Sequence, residues 1–157
     1  MAYSAEQYDI SGGGTRSEQA MRDILDSDMV AGIPIHIKPM EDNPWGPPYE
    51  TLFGIPEGNR KYTVAPVFMN VRDWLKIQQK AHGMSSEQAF RRGAYQETVN
   101  RVAKDIENGT TSEIPTPVLE VSETGDVTWA EGRSRGLGAE KAGLDYMPIW
   151  IATRDYR

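Results

Sequence analysis

The chain predicts an α/β (α+β) domain of strands and flanking helices, with an irregular, Pro/Gly-rich N-terminal arm ahead of it. Three observations carry this. The apolar run Val64–Met69 passes directly into a capped helical pattern at Asn70. A second amphipathic pattern follows and stops at Asn108-Gly109. The last forty residues then read as strand, turn, strand, short helix and strand.

Composition sets the outer bounds. At 157 residues the chain can build one core, and 38% hydrophobic with 25% charged residues places it among folded globular proteins, not disordered ones. No apolar run approaches the roughly 20 residues that cross a bilayer, so no membrane span is expected. Met1-Ala2-Tyr3-Ser4-Ala5-Glu6 has neither the basic start nor the apolar stretch of a signal peptide. Without cysteine there is no disulfide, no thiolate zinc site and no thiol nucleophile, which suits a cytoplasmic location. His36 and His82 alone do not make a His-rich metal site, and no metal ligand set is expected. Residues 1–60 hold ten Asp/Glu and four Lys/Arg, whereas 61–157 hold thirteen of each. The chain therefore divides into an acidic arm, 1–60, and a charge-balanced domain, 61–157. That balance argues against a broad basic surface for duplex DNA.

Along the arm, Ser11-Gly12-Gly13-Gly14-Thr15 reads as a flexible linker; it lacks the Gly-Lys-Ser/Thr ending and the leading strand of a phosphate-binding loop. Thr15 or Ser17 can cap a short helix over Glu18–Leu25. Ile33–Lys38 alternates like a strand, and Pro34 assigns it to an edge. Pro39–Pro56 carries Pro44, Pro47, Pro48 and Pro56 and reads as an extended arm around Trp45, Tyr49 and Phe53, aromatics expected to pack on the body or to meet a protein partner.

The domain is more regular. Asn70 caps a helix that sets Val71, Trp74, Leu75 and Gln78 along one side and ends near His82-Gly83. Ser85 and Gln88 form a capping box for the next helix, whose apolar face runs from Phe90 to Ile106 and whose other face, with Arg91, Arg92 and Arg101, reads as solvated. Pro117–Val121 and Val127–Ala130 pair around the turn Glu123–Asp126. A short helix then runs through Ala142 and closes at Gly143, and Met147–Ala152 is the final strand.

The candidate site is the turn Glu131-Gly132-Arg133-Ser134-Arg135. A strand enters, glycine permits close backbone approach, and a helix begins. The opening amides of a helix point outward, where its dipole favours an anion. Arg133 and Arg135 offer guanidinium forks suited to phosphate, and Ser134 adds a hydroxyl. The alternative is an ordinary helix start in which the arginines pair with acids such as Glu131 or Asp155. Glu131 is the best-placed candidate for a general base.

The run Pro117–Val121, Gly125-Asp126, Val127–Arg135, Leu137–Leu144 and Met147–Ile151 resembles the core of the ParB/sulfiredoxin-like superfamily. There a hairpin leads to a Gly-x-x-Arg signature, followed by an alanine-containing helix, Gly-Leu and a strand opening at proline. The resemblance covers roughly residues 64–153 and implies a small mixed sheet with flanking helices. It also implies that Gly132 and Arg135, with Arg133 and Ser134 between them, hold a nucleotide, ATP or CTP with Mg2+, or another phosphate ligand. Two departures matter. Sulfiredoxin chemistry needs a cysteine in this turn, and this chain has none. ParB proteins read Gly-Glu-Arg-Arg where this chain has Gly132-Arg133-Ser134-Arg135. No helix-turn-helix segment follows the last strand here, so operator binding is not expected and direct contact with DNA is left open. Three functions compete: a nucleotide-binding module, a phosphotransferase or nuclease using the same turn, and a structural or interaction protein that keeps the fold without chemistry. Short single-domain chains of this type occur in bacteriophage genomes, which would place the protein in the host cytoplasm or the virion.

Overall fold

A computed structural model of the chain describes residues 3–10, 12–48, 62–83 and 93–154. Among them the order is α1 (Thr15–Ser27), β1 (Met29–Val30), β2 (Ile33–Pro34), β3 (Ile37–Pro39), β4 (Tyr62–Asn70), α2 (Val71–His82), α3 (Gly93–Asn108), β5 (Val118–Val121), β6 (Val127–Glu131), α4 (Arg133–Lys141) and β7 (Tyr146–Arg154). One five-stranded sheet runs β3-β4-β7-β5-β6, and β1 with β2 makes a separate ribbon. Every pairing in the large sheet is antiparallel except β5 with β7, which is parallel. The mixed α/β class read from the sequence is the class observed. Among the described residues no helix is long and apolar enough to cross a membrane.

The sheet is organised around β4 and β7, paired over their whole length from Tyr62↔Arg154 to Asn70↔Tyr146. Buried and half-exposed residues alternate along β4, so Thr63, Ala65, Val67 and Met69 face the core. That core unites Met21 and Leu25 of α1, Trp74 and Ile77 of α2, Val99 and Val102 of α3, and Leu137 of α4 with Val67, Ile149 and Ile151. The opposite parity of β4, Tyr62 and Val64, joins a smaller cluster with Val118, Trp150 and Ala152.

Local signals explain the middle of the chain. The Asn70 side chain accepts from the amides of Arg72 and Asp73 at 3.0 and 3.3 Å, capping α2 as expected. Asp73 does not complete a box; it turns aside to accept from the His36 amide at 2.7 Å and from His36 Nδ1 at 2.9 Å. α2 and α3 end at Gly83 and Gly109, both in the left-handed region. The Ser85/Gln88 capping box, Phe90, Arg91, Arg92, Tyr49, Phe53 and Asp155 lie outside the described residues.

The N-terminal region departs from the reading in three ways. α1 starts at Thr15 behind Gly14, so neither Thr15 nor Ser17 is its cap. Ser17 is instead fully buried, its hydroxyl 2.8 Å from both the Thr63 hydroxyl and the Thr153 carbonyl oxygen. The Gly12–Gly14 stretch is seated on β4: Thr63 donates to the Gly12 carbonyl at 2.8 Å, and a Cβ on Gly13 would lie 2.0 Å from the Thr63 hydroxyl. The strand expected over Ile33–Lys38 is split. Pro34 has no N–H to extend a ladder, and the chain changes partners there, from β1 to the edge of the main sheet at β3. The described part of the Pro/Gly-rich arm packs on the body. Trp45 is buried, and Gly46 bridges the segment before β5, donating to Ile114 and accepting from Thr116.

Ser17→Ala is expected to lower the unfolding free energy by about 1–3 kcal/mol, since the Thr63 amide donates to this hydroxyl and the Thr153 carbonyl accepts from it. Thr124→Ala, on the exposed hairpin turn, should stay within about 0.5 kcal/mol. Urea denaturation of both variants checks the pair. Equal midpoints would mean the buried hydroxyl cluster contributes nothing.

Candidate functional site

The turn between β6 and α4 is held from three directions. Gly132 has φ 122°, a backbone state that a side chain strains, and an added Cβ would fall 2.7 Å from Pro117 Cβ. Its carbonyl accepts both the first helical bond, from Gly136 N at 3.0 Å, and the Trp74 indole N–H of α2 at 3.2 Å. Small residues then let α4 settle close to its neighbours. A Cβ on Gly136 would meet Trp74 Cδ1 at 2.7 Å, and one on Gly138 would meet Val102 Cβ at 2.6 Å. α4 is thereby set against both α2 and α3, with a glycine, Gly132, at the cap position of its N-terminus.

Arg135 is the third hold. It is only 6% exposed. One guanidinium nitrogen donates to the Pro115 carbonyl at 2.6 Å, and the other pairs with Glu131 Oε1. The arginine expected to end the ligand signature therefore ties the end of β6 to the strand-leading segment before β5. Of the two readings of this turn, the pairing with Glu131 is the one the geometry realises for Arg135. Glu131, expected as a general base, has one carboxylate oxygen engaged in the same pair.

Beside this turn lies a cavity of about 590 Å³. All five residues Glu131–Arg135 line it, so the structure brings the whole sequence-derived set to one place. Opposite them stand Gln78 and His82 from the end of α2, and Thr98, Arg101 and Asp105 from α3. Three arginines (Arg101, Arg133, Arg135) face three acids (Asp105, Glu113, Glu131) around the wall, so the cavity is not uniformly basic. Arg133 stands on this wall at the first position of α4, the positive end of the helix dipole.

Four wall residues escaped the sequence reading. Thr98, Arg101 and Asp105 follow one another at helical spacing beside the apolar stripe of α3; a polar stripe so placed can line a cleft as readily as face solvent. His82 was legible only as a helix end. Its Nε2 lies 2.9 Å from the Ala130 carbonyl, an acceptor only, so Nε2 carries a proton, which in the neutral ring leaves the lone pair on Nδ1. Among the described residues no three His, Asp or Glu side chains converge to hold a metal ion.

Gly132→Ala should cost at least about 2 kcal/mol of stability, from backbone strain and overlap with Pro117. Arg135→Met, of similar length, should cost about 1–3 kcal/mol by leaving the Pro115 carbonyl and Glu131 without their donor. Ser134→Ala should be near neutral. Denaturant unfolding reads all three, and an Arg135→Met protein as stable as its parent would show that the guanidinium does not brace the turn.

Comparison with protein-family models, with curated proteins and with solved structures finds no match to this chain.

Proposed function

We propose that the cavity beside Gly132–Arg135 binds a phosphate-bearing ligand, with a nucleoside triphosphate, ATP or CTP, as the leading case. The observation that carries this is the N-terminus of α4, headed by Gly132, on the wall of a cavity of about 590 Å³, within the size range of small-molecule sites. In this reading Ser134 and Arg133 meet the phosphates at the helix opening, and Arg135 is a positioning residue that holds the turn in shape. Mg2+ arrives with a triphosphate and ordinarily takes one or two carboxylates besides phosphate oxygens and water. Asp105 and Glu113 on the same wall supply that number. The reading agrees with what the ParB-like resemblance implies and assigns no DNA-binding role.

A second reading, phosphoryl transfer or phosphodiester hydrolysis in the same cavity, is favoured by one observation. His82 lines the wall with its tautomer fixed by Ala130, so Nδ1 can accept a proton, a role that Glu131 fills less well while paired with Arg135.

Arg135 is a poor residue for testing binding, because its loss unsettles the fold. Ser134→Asp is better: a carboxylate at the helix start favours the apo helix and repels a phosphate. The parent's thermal midpoint should rise with ATP or CTP and Mg2+, by about 5–10 °C when ligand exceeds Kd a hundredfold. Ser134→Asp should match or slightly exceed the parent's apo midpoint and lose the rise. No shift with any of ATP, ADP, CTP or GTP would refute the proposal, and metal-dependent turnover lost in His82→Gln would favour the second reading.

A further inference from the structure

Gln78 sits in the wall of the cavity, on the core side of α2, and is 1% exposed. Among the described residues neither its Nε2 nor its Oε1 has a hydrogen-bond partner. A buried amide with both ends unsatisfied is rare in folded proteins and costs stability. The fold does not need the amide here. Ile77 and Trp74 on the same helix are buried apolar residues, and a methionine would fill the same volume. The unsatisfied amide is therefore best explained by something that enters the cavity.

Resting on the phosphate-ligand reading, we propose that Gln78 reads the base edge of a nucleotide held at the Gly132–Arg135 turn. A carboxamide offers a donor and an acceptor side by side. Phosphate oxygens can satisfy only the donor. A nucleobase edge presents an acceptor next to a donor and satisfies both, as in bidentate pairing of glutamine with adenine. Placement fits. Trp74, whose indole binds the Gly132 carbonyl, precedes Gln78 by four residues, so Gln78 lies on the same face of α2 about 5–6 Å further on. Phosphate at the turn and base at Gln78 then occupy different parts of one cavity. Trp129 adds an independent observation. It is 49% exposed, lines the same cavity and offers a ring face on which a base can stack. The Gln78 amide is closed to bulk water, so pairing requires the side chain to swing toward the cavity it lines.

The test compares tripolyphosphate, ATP and CTP, each with Mg2+, by calorimetric titration of the parent, Gln78→Met and Gln78→Leu. The parent should bind nucleotides more tightly than tripolyphosphate. Both variants should be at least as thermally stable as the parent without ligand, should bind tripolyphosphate with the parent's Kd, and should bind ATP and CTP roughly 5- to 100-fold more weakly. One comparison needs no variant: purine riboside triphosphate keeps ring and phosphates but lacks the exocyclic amine, and should bind the parent more weakly than ATP. Nucleotide binding unchanged in both variants would overturn the role of Gln78 while leaving the phosphate site standing. Variants clearly less stable than the parent without ligand would also overturn it, by showing that the amide serves the fold. A parent that binds neither tripolyphosphate nor nucleotide would overturn both the phosphate site and this role.

Discussion

The candidate site depends on one buried guanidinium. Arg135 reaches from the second residue after Arg133 back to Glu131 and across to the Pro115 carbonyl. It joins the end of β6, the start of α4 and the approach to β5 in one contact. Pro115 is in turn bridged by Gly46, so the buried Trp45 segment is fastened to the same place. An arginine shut in this way must have its charge and its donors answered by the protein, and breaking such a pair costs more than an exposed salt bridge contributes. The turn is thus fixed by the protein's own contacts, the kind of support that a site needs for precise positioning.

Around that brace the cavity follows from packing. Gly136 and Gly138 bring α4 against α2 and α3 more closely than any larger residue allows, while Gly132 passes under Pro117. Tight contact on one side of α4 leaves its N-terminus facing the space between the end of α2 and the polar stripe of α3. Most of the described interior is apolar, with a main cluster from Ala5 to Ile151 and a smaller one around Val118 and Ala152. One departure from that rule is Gln78, whose buried amide lies on the cavity wall.

Much of this was legible because the signals were local. The Asn70 cap, the glycines ending α2 and α3, the hairpin at Gly125 and the strand-glycine-helix passage at Gly132 each depend on residues a few positions apart. What could not be read depends on distant partners. Nothing near Ser17 marks it as a link to Thr63 and Thr153, and a serine ahead of a helix usually caps it. Pro34 indicated an edge but not a change of partner strand. In the site, the sequence brought forward Glu131–Arg135 as a set yet could not apportion their roles, because the acceptor that fixes Arg135 is a backbone carbonyl twenty residues away. Gln78 fell correctly on one side of α2, but whether an amide is satisfied is a property of the folded surroundings. Arg101 is exposed, as the periodicity of α3 indicated, and it also lines the cavity, because periodicity separates faces without saying what lies opposite them.

The most direct measurement is a ¹H–¹⁵N correlation spectrum of the protein titrated with ATP or CTP and Mg2+. The account expects the backbone amides at the start of α4, above all Ser134, the Trp129 indole N–H and the Gln78 side-chain NH2 to move together along one saturable curve. Signals from α1 and the β1–β2 ribbon should stay in place. Shifts confined to that N-terminal region, or none at millimolar nucleotide, would contradict the claim that the Gly132–Arg135 turn and its cavity form the ligand site.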